Sequence, residues 1–118
     1  MLGKATFAVA IVIADVASAQ APVATVQYIC ANGKSLHAVY FDGATRTAPD
    51  GRPIPGGHVI LTLADGKKLT LPQTLSASGI RYANEGETFV FWSKGDTAFV
   101  EEGPSRTVTY EACIGGKK

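Results

Sequence analysis

The stretch Phe89–Glu101 reads FVFWSKGDTAFVE. Both arms are rich in aromatic, β-branched and small apolar residues, and Lys94-Gly95-Asp96 between them has the turn chemistry of a tight chain reversal. In the second arm Ala98 and Val100 alternate with Thr97, Phe99 and Glu101, the period-two pattern of a strand with one face in a core. The stretch is therefore a β-hairpin. Working outward from it, the same pattern recurs along the chain, and no helical periodicity persists beyond the first residues.

Strands are expected at about Val23 to Cys30, Ser35 to Phe41, His58 to Leu63, Lys68 to Leu71, Gly79 to Ala83, Thr88 to Ser93, Thr97 to Glu101 and Arg106 to Cys113. In HVILTL, Val59, Leu61 and Leu63 share one direction and Ile60 takes the other. Asn32-Gly33 and Asp65-Gly66 mark two further tight turns. Asp42 to Gly57 (DGATRTAPDGRPIPGG) is rich in Pro and Gly without an apolar period, so it is expected as a long exposed loop. The fold class that follows is all-β: one domain, a single antiparallel and about eight-stranded barrel, flattened or closed, with one disulfide.

At the N-terminus Lys4 precedes a short apolar run, Ala5 to Ala14, and then Ala17-Ser18-Ala19, which reads as a signal peptide over residues 1–19 cut after Ala19. Asp15 interrupts the run well short of the roughly 20 apolar residues that span a bilayer. No cysteine follows the cut, so no lipid anchor is expected, and residues 20–118 form a soluble exported domain in the periplasm. Cys30 and Cys113 are the two cysteines of the chain. In an exported protein an even pair reads as one disulfide rather than a metal site.

Composition and motifs exclude several functions. With 11 Lys plus Arg against 10 Asp plus Glu, the net charge of +1 provides no field for nucleic acid or an anionic membrane. His37 and His58 sit inside apolar strand patterns without a metal-ligand spacing, so they are read as structural and no metal or cofactor is expected. SASGIRY lacks the spacing of a nucleophile elbow. Glu101 and Glu102 are adjacent on one strand and point to opposite faces, whereas glycoside chemistry needs two carboxyls facing each other. An enzyme lacks its parts here.

Two strings place polar residues at turns beside strand aromatics: Ser78-Gly79-Ile80-Arg81-Tyr82 and Phe89-Val90-Phe91-Trp92-Ser93-Lys94-Gly95. Together with Tyr28-Ile29-Cys30 and the late Cys113, they resemble the family of membrane-bound and periplasmic inhibitors of C-type lysozyme. Its patterns are Ser-Gly-x-x-Tyr, then Tyr-x-x-x-Thr-Lys-Gly, between an early Tyr-x-Cys and a late Cys. The resemblance covers about residues 28 to 113. Phe89 stands for the family's tyrosine and Ser93 for its threonine, the spacer Ala83 to Thr88 is longer, and Asp42 to Gly57 looks like an insertion.

What the resemblance implies is a protein partner. Ser78 and Lys94 would enter the lysozyme cleft and meet its two catalytic carboxyls, with Gly79, Arg81, Tyr82, Ser93 and Gly95 completing the lysozyme-binding set. The pairing is chemically matched: a neutral hydroxyl suits the carboxyl kept protonated, and an ammonium suits the ionised one. Tyr82 and Trp92 also read as scaffold beneath the loops, and Gly79 and Gly95 as residues needed for their backbone conformations. The acidic residues Glu85, Glu87, Asp96, Glu101 and Glu102 surround Lys94 in sequence and would steer a basic partner. The alternative function is a periplasmic β-barrel module that binds a small ligand or cell-wall glycan. A homodimer stays open.

Overall fold

The structure, a computed structural model, describes residues 21–117, and the expected signal peptide lies outside the described residues. Ten strands follow in chain order: β1 (Ala24–Ile29), β2 (Ser35–Phe41), β3 (Arg46–Thr47), β4 (Pro53–Ile54), β5 (His58–Thr62), β6 (Lys68–Thr74), β7 (Ile80–Ala83), β8 (Phe89–Lys94), β9 (Thr97–Glu102) and β10 (Thr107–Lys117). Eight of them close a barrel in the order β1-β10-β9-β8-β7-β6-β5-β2, every neighbouring pair antiparallel. The remaining two, β3 and β4, pair with each other outside it. Closure removes the unpaired sheet edges that an open sheet of this size would expose.

Alternation decides what fills the interior. Val59 and Leu61 on β5, Leu36 and Ala38 on β2, and Ala98 and Val100 on β9 all point inward and are buried, as their period-two patterns require. Leu63 lies past the end of β5 and packs against the same core from its rim. Phe91 sits at the centre, its ring 6.0 Å from Tyr28, 6.3 Å from Tyr40 and 6.1 Å from Tyr82. The hydroxyls of Tyr28 and Tyr40 bond each other at 2.6 Å, so the polar ends of two core rings satisfy one another. Burial pushes both hydroxyls, and that of Tyr82, up from the ordinary tyrosine value.

Cys30 and Cys113 are bonded, joining the end of β1 to β10 across 83 positions of sequence. Tyr110 and Cys113 are both buried although three residues apart, which a regular strand forbids. A bulge in β10 resolves the conflict: the register against β9 shifts between these residues, and Ala112 takes up the slack at φ 52°.

The eight barrel strands lie where the sequence pattern placed them, with two extensions. β6 runs on to Thr74 through Pro72, and β10 runs on to Lys117. One expectation needs correction. Asp42 to Gly57 is largely exposed as expected, but it carries a small hairpin built on β3 and β4, with Ala48 buried at its turn. Its ladder is too short to leave an alternating pattern in the sequence. The Asn32-Gly33 reversal is a single 3-10 turn, closed by a bond of 2.8 Å from Cys30 N to Lys34 O.

Candidate functional site

Register determines which turns meet. Ile80 pairs with Ser93 and Lys94 with Thr97, so β7 begins, β8 ends and β9 begins at the same end of the barrel. Ser78-Gly79 therefore lies beside Lys94-Gly95. A groove of about 280 Å³ runs between them, lined by Ser78, Trp92, Lys94, Thr97, Ala98 and Phe99. Inside the mouth is a recess of about 500 Å³, with Tyr28, Tyr40 and Tyr82 among its walls and Gly79, Ser93, Lys94 and Gly95 on one side.

Each turn is held by bonds close to its tip. Thr97 Oγ1 donates to Lys94 O at 2.9 Å, closing the β8–β9 reversal and leaving the Lys94 side chain exposed. On the other side the Ser78 carbonyl accepts two bonds, one from Ser76 Oγ and one from Trp92 Nε1 at 2.8 Å. Gly79 sits at φ +70°, and a Cβ there would meet Ser93 O at 2.7 Å and Trp92 Nε1 at 3.0 Å. Both the conformation and the close packing demand glycine.

Behind Trp92 stands a chain of contacts that fixes the ring. Its indole stacks on Phe99 at 5.8 Å and 24°, and the Arg81 guanidinium lies 5.6 Å from the ring centre. Arg81 donates to Thr74 Oγ1 at 2.9 Å and to Glu87 Oε1 at 3.0 Å, and Arg106 reaches the same Glu87 oxygen at 2.9 Å. The bond from Arg81, reinforced by the positive charge of both arginines, holds the Glu87 carboxyl below the usual carboxylate range.

The expected site residues thus fall into two layers. Ser78, Gly79, Lys94 and Gly95 are exposed at the mouth. Arg81, Tyr82 and Ser93 lie beneath it, at 9%, 3% and 6% exposure. Tyr82 is a core ring 5.9 Å from Tyr40, and Ser93 lines the recess together with both. Trp92, read as scaffold from the sequence, has a definite partner in the Ser78 carbonyl. Its clamp through Arg81 and Glu87 left no signal in the sequence, because Glu87 lies on a turn and only the folded chain shows which cation it faces. The histidines have local roles: His37 Nδ1 bonds Gln27 Oε1 at 2.9 Å, and His58 stacks on Phe41 at 4.6 Å. Among the described residues no helix is long and apolar enough to cross a membrane.

The profile of the family described as "Membrane-bound lysozyme-inhibitor of c-type lysozyme" matches residues 53–108, a span that contains both motif turns. The match covers just under half of the 118-residue chain. A Yersinia enterocolitica protein named "Membrane-bound lysozyme inhibitor of C-type lysozyme" is 62% identical over 37 residues, 31% of this chain and 30% of that one. A Cupriavidus necator protein of the same name is 34% identical over 74 residues, 63% of this chain and 49% of its own. The chain thus matches half or less of the length of these curated relatives. The crystal structure of PliC-St, a periplasmic lysozyme inhibitor of C-type lysozyme from Salmonella typhimurium, superposes with TM-score 0.51 at 20% identity, covering 76% of this chain and 93% of that one. That likeness shows the barrel fold.

Proposed function

We propose that this chain is a periplasmic inhibitor of C-type lysozyme that inserts the Ser78 and Lys94 turns into the enzyme's active cleft. The observation that carries the reading is the single groove these two side chains share at the barrel mouth, each on a turn with its own closing bond. Lys94 brings an ammonium to the ionised carboxyl of lysozyme and Ser78 a hydroxyl to the protonated one, in keeping with the different protonation states of that pair. A charge-assisted hydrogen bond of this kind contributes roughly 1.5–3 kcal/mol, which orients the complex but does not by itself give nanomolar binding. Apolar contact from the Trp92 and Phe99 walls of the groove adds to it.

In this reading the chain works as a soluble exported domain, cut after Ala19 and spanning residues 20–118. Its reach into the cleft comes from rigid turns, so little ordering entropy is lost on binding.

The test compares Lys94→Ala and Ser78→Ala with the parent for inhibition constant and melting temperature. Removing one member of a buried charge pair costs about 2–5 kcal/mol, so Lys94→Ala raises the inhibition constant about 30-fold or more. Ser78→Ala costs less, because its hydroxyl is neutral and water can replace it. Both variants melt close to the parent, since neither side chain enters the core. Folded variants that inhibit like the parent would show that another surface does the work. The alternative, a module for a small ligand or cell-wall glycan, draws on the 500 Å³ recess inside the mouth. Glycan binding without any inhibition of lysozyme is the outcome that selects it.

A further inference from the structure

The barrel mouth carries a third element that neither motif includes. In the ring of eight strands, the β2–β5 connection lies four strands away from the β8–β9 turn, so the two stand across the mouth from each other. The Ser78 segment, between β6 and β7, lies midway. Asp42 and Pro55 from the β2–β5 connection form the wall of the recess that faces Lys94 and Gly95.

This connection is far longer than closure requires. Phe41 and His58 are register partners, so a tight turn would join them. Residues 42–57 intervene instead, and of them only Ala48 and the stem residue Gly57 are buried. Even so, the segment is held by several bonds. Arg46 Nη2 donates to Gln73 O at 2.7 Å, which ties the hairpin to the end of β6. Ala48 N bonds Arg52 O and Gly51 N bonds Ala48 O, each at 2.8 Å, and Asp50 pairs with Arg52 at 2.7 Å. At the stem the backbones touch so closely that a Cβ on Gly56 would lie 1.6 Å from Ala44 O. Pro49, Pro53 and Pro55 stiffen what remains.

An exposed segment held to this degree contributes almost nothing to the core, and ordering it opposes folding. Such restraint has a use where the segment meets a partner, because a pre-formed loop loses less entropy on binding. Building on the inhibitor reading above, we infer that residues 42–57 form a third arm of the lysozyme-binding surface. The arm grips the protein surface flanking the cleft while Ser78 and Lys94 occupy it. Its exposed face mixes two acidic side chains, Asp42 and Asp50, and two basic ones, Arg46 and Arg52, with Pro49, Pro55 and the half-buried Ile54. That chemistry fits a protein surface of mixed polarity better than a polyanion. The arm therefore adds contact area and selectivity among lysozymes, whose surfaces beside the cleft differ, rather than overall charge attraction.

The experiment replaces residues 44–55 with a short Gly-Ser turn and measures the inhibition constant against C-type lysozyme beside the parent and Lys94→Ala. The trimmed barrel is expected to fold and to inhibit at least tenfold more weakly, mainly through faster dissociation. A folded, trimmed protein with the parental inhibition constant overturns the arm. Hydrogen exchange on the full chain keeps the question answerable if trimming prevents folding: the Ala48 and Gly51 amides gain protection when lysozyme is added. Protection confined to the Ser78 and Lys94 turns removes the arm and leaves the inhibitor reading intact. Absence of any lysozyme binding by the parent overturns that reading, and the arm falls with it.

Discussion

Trp92→Phe isolates one hydrogen bond of the barrel mouth. The substitution removes the Nε1–H that donates to Ser78 O at 2.8 Å and leaves an aromatic ring facing Phe99 and Arg81. A neutral hydrogen bond of this kind contributes about 0.5–1.5 kcal/mol net. Ser78 belongs to a rim segment and not to the core, so on the proposed inhibitor reading the loss appears mainly as freedom of that segment before lysozyme binds. The bound state must then re-order it, and the inhibition constant rises about two- to tenfold at about 1.4 kcal/mol per decade. Melting temperature changes far less than for truncation of a core aromatic, which costs about 3–5 kcal/mol. Lysis of bacterial cells followed by turbidity gives the inhibition constants, and circular dichroism gives the melting curves. A Trp92→Phe protein with unchanged inhibition would refute the claim that the indole bond holds Ser78 in place. So would a loss of inhibition fully matched by a loss of stability.

Two further outcomes follow from other parts of the barrel. Replacing Cys30 and Cys113 by serine opens a closure spanning 83 positions and destabilises the domain by about 2–5 kcal/mol, read as a lower denaturant midpoint with the barrel's circular dichroism retained. Glu87→Gln tests the clamp behind Trp92 through pH. The Glu87 carboxyl is held below its ordinary value, so its contribution is present above about pH 4.3 and is lost as pH falls through the depressed value. The gap in melting temperature between parent and variant accordingly narrows from pH 6 to pH 3. The stability difference behind it stays below about 1 kcal/mol because the Glu87 side chain is 44% exposed. A gap that widens on acidification contradicts the assignment.

Local chemistry was enough to read much of this protein. Ala98 and Val100 against Thr97 and Phe99, and Val59 and Leu61 against Ile60, announce strand faces because side chains alternate wherever a strand is regular. Gly-bearing turns announce antiparallel neighbours, and an even pair of cysteines reads as a disulfide. The two strings that carry the family resemblance lie within short reach of one another along the chain, so Ser78 and Lys94 were legible as a pair.

Other features depend on partners distant in sequence. In SGIRY, Arg81 and Tyr82 look alike as members of an interface. In the barrel Tyr82 is turned into the core beside Tyr40 and Phe91, while Arg81 is covered by Trp92, Thr74 and Glu87. The β10 bulge that buries both Tyr110 and Cys113 arises from register against β9, which no pattern within β10 specifies. By itself, then, the sequence determined the strands, the tight turns, the disulfide pair and the two motif turns, all set by nearest neighbours and side-chain type. Only the tertiary structure decided that residues 42–57 stand across the mouth from Lys94, and which motif residues reach the surface, because both depend on how eight strands close on themselves.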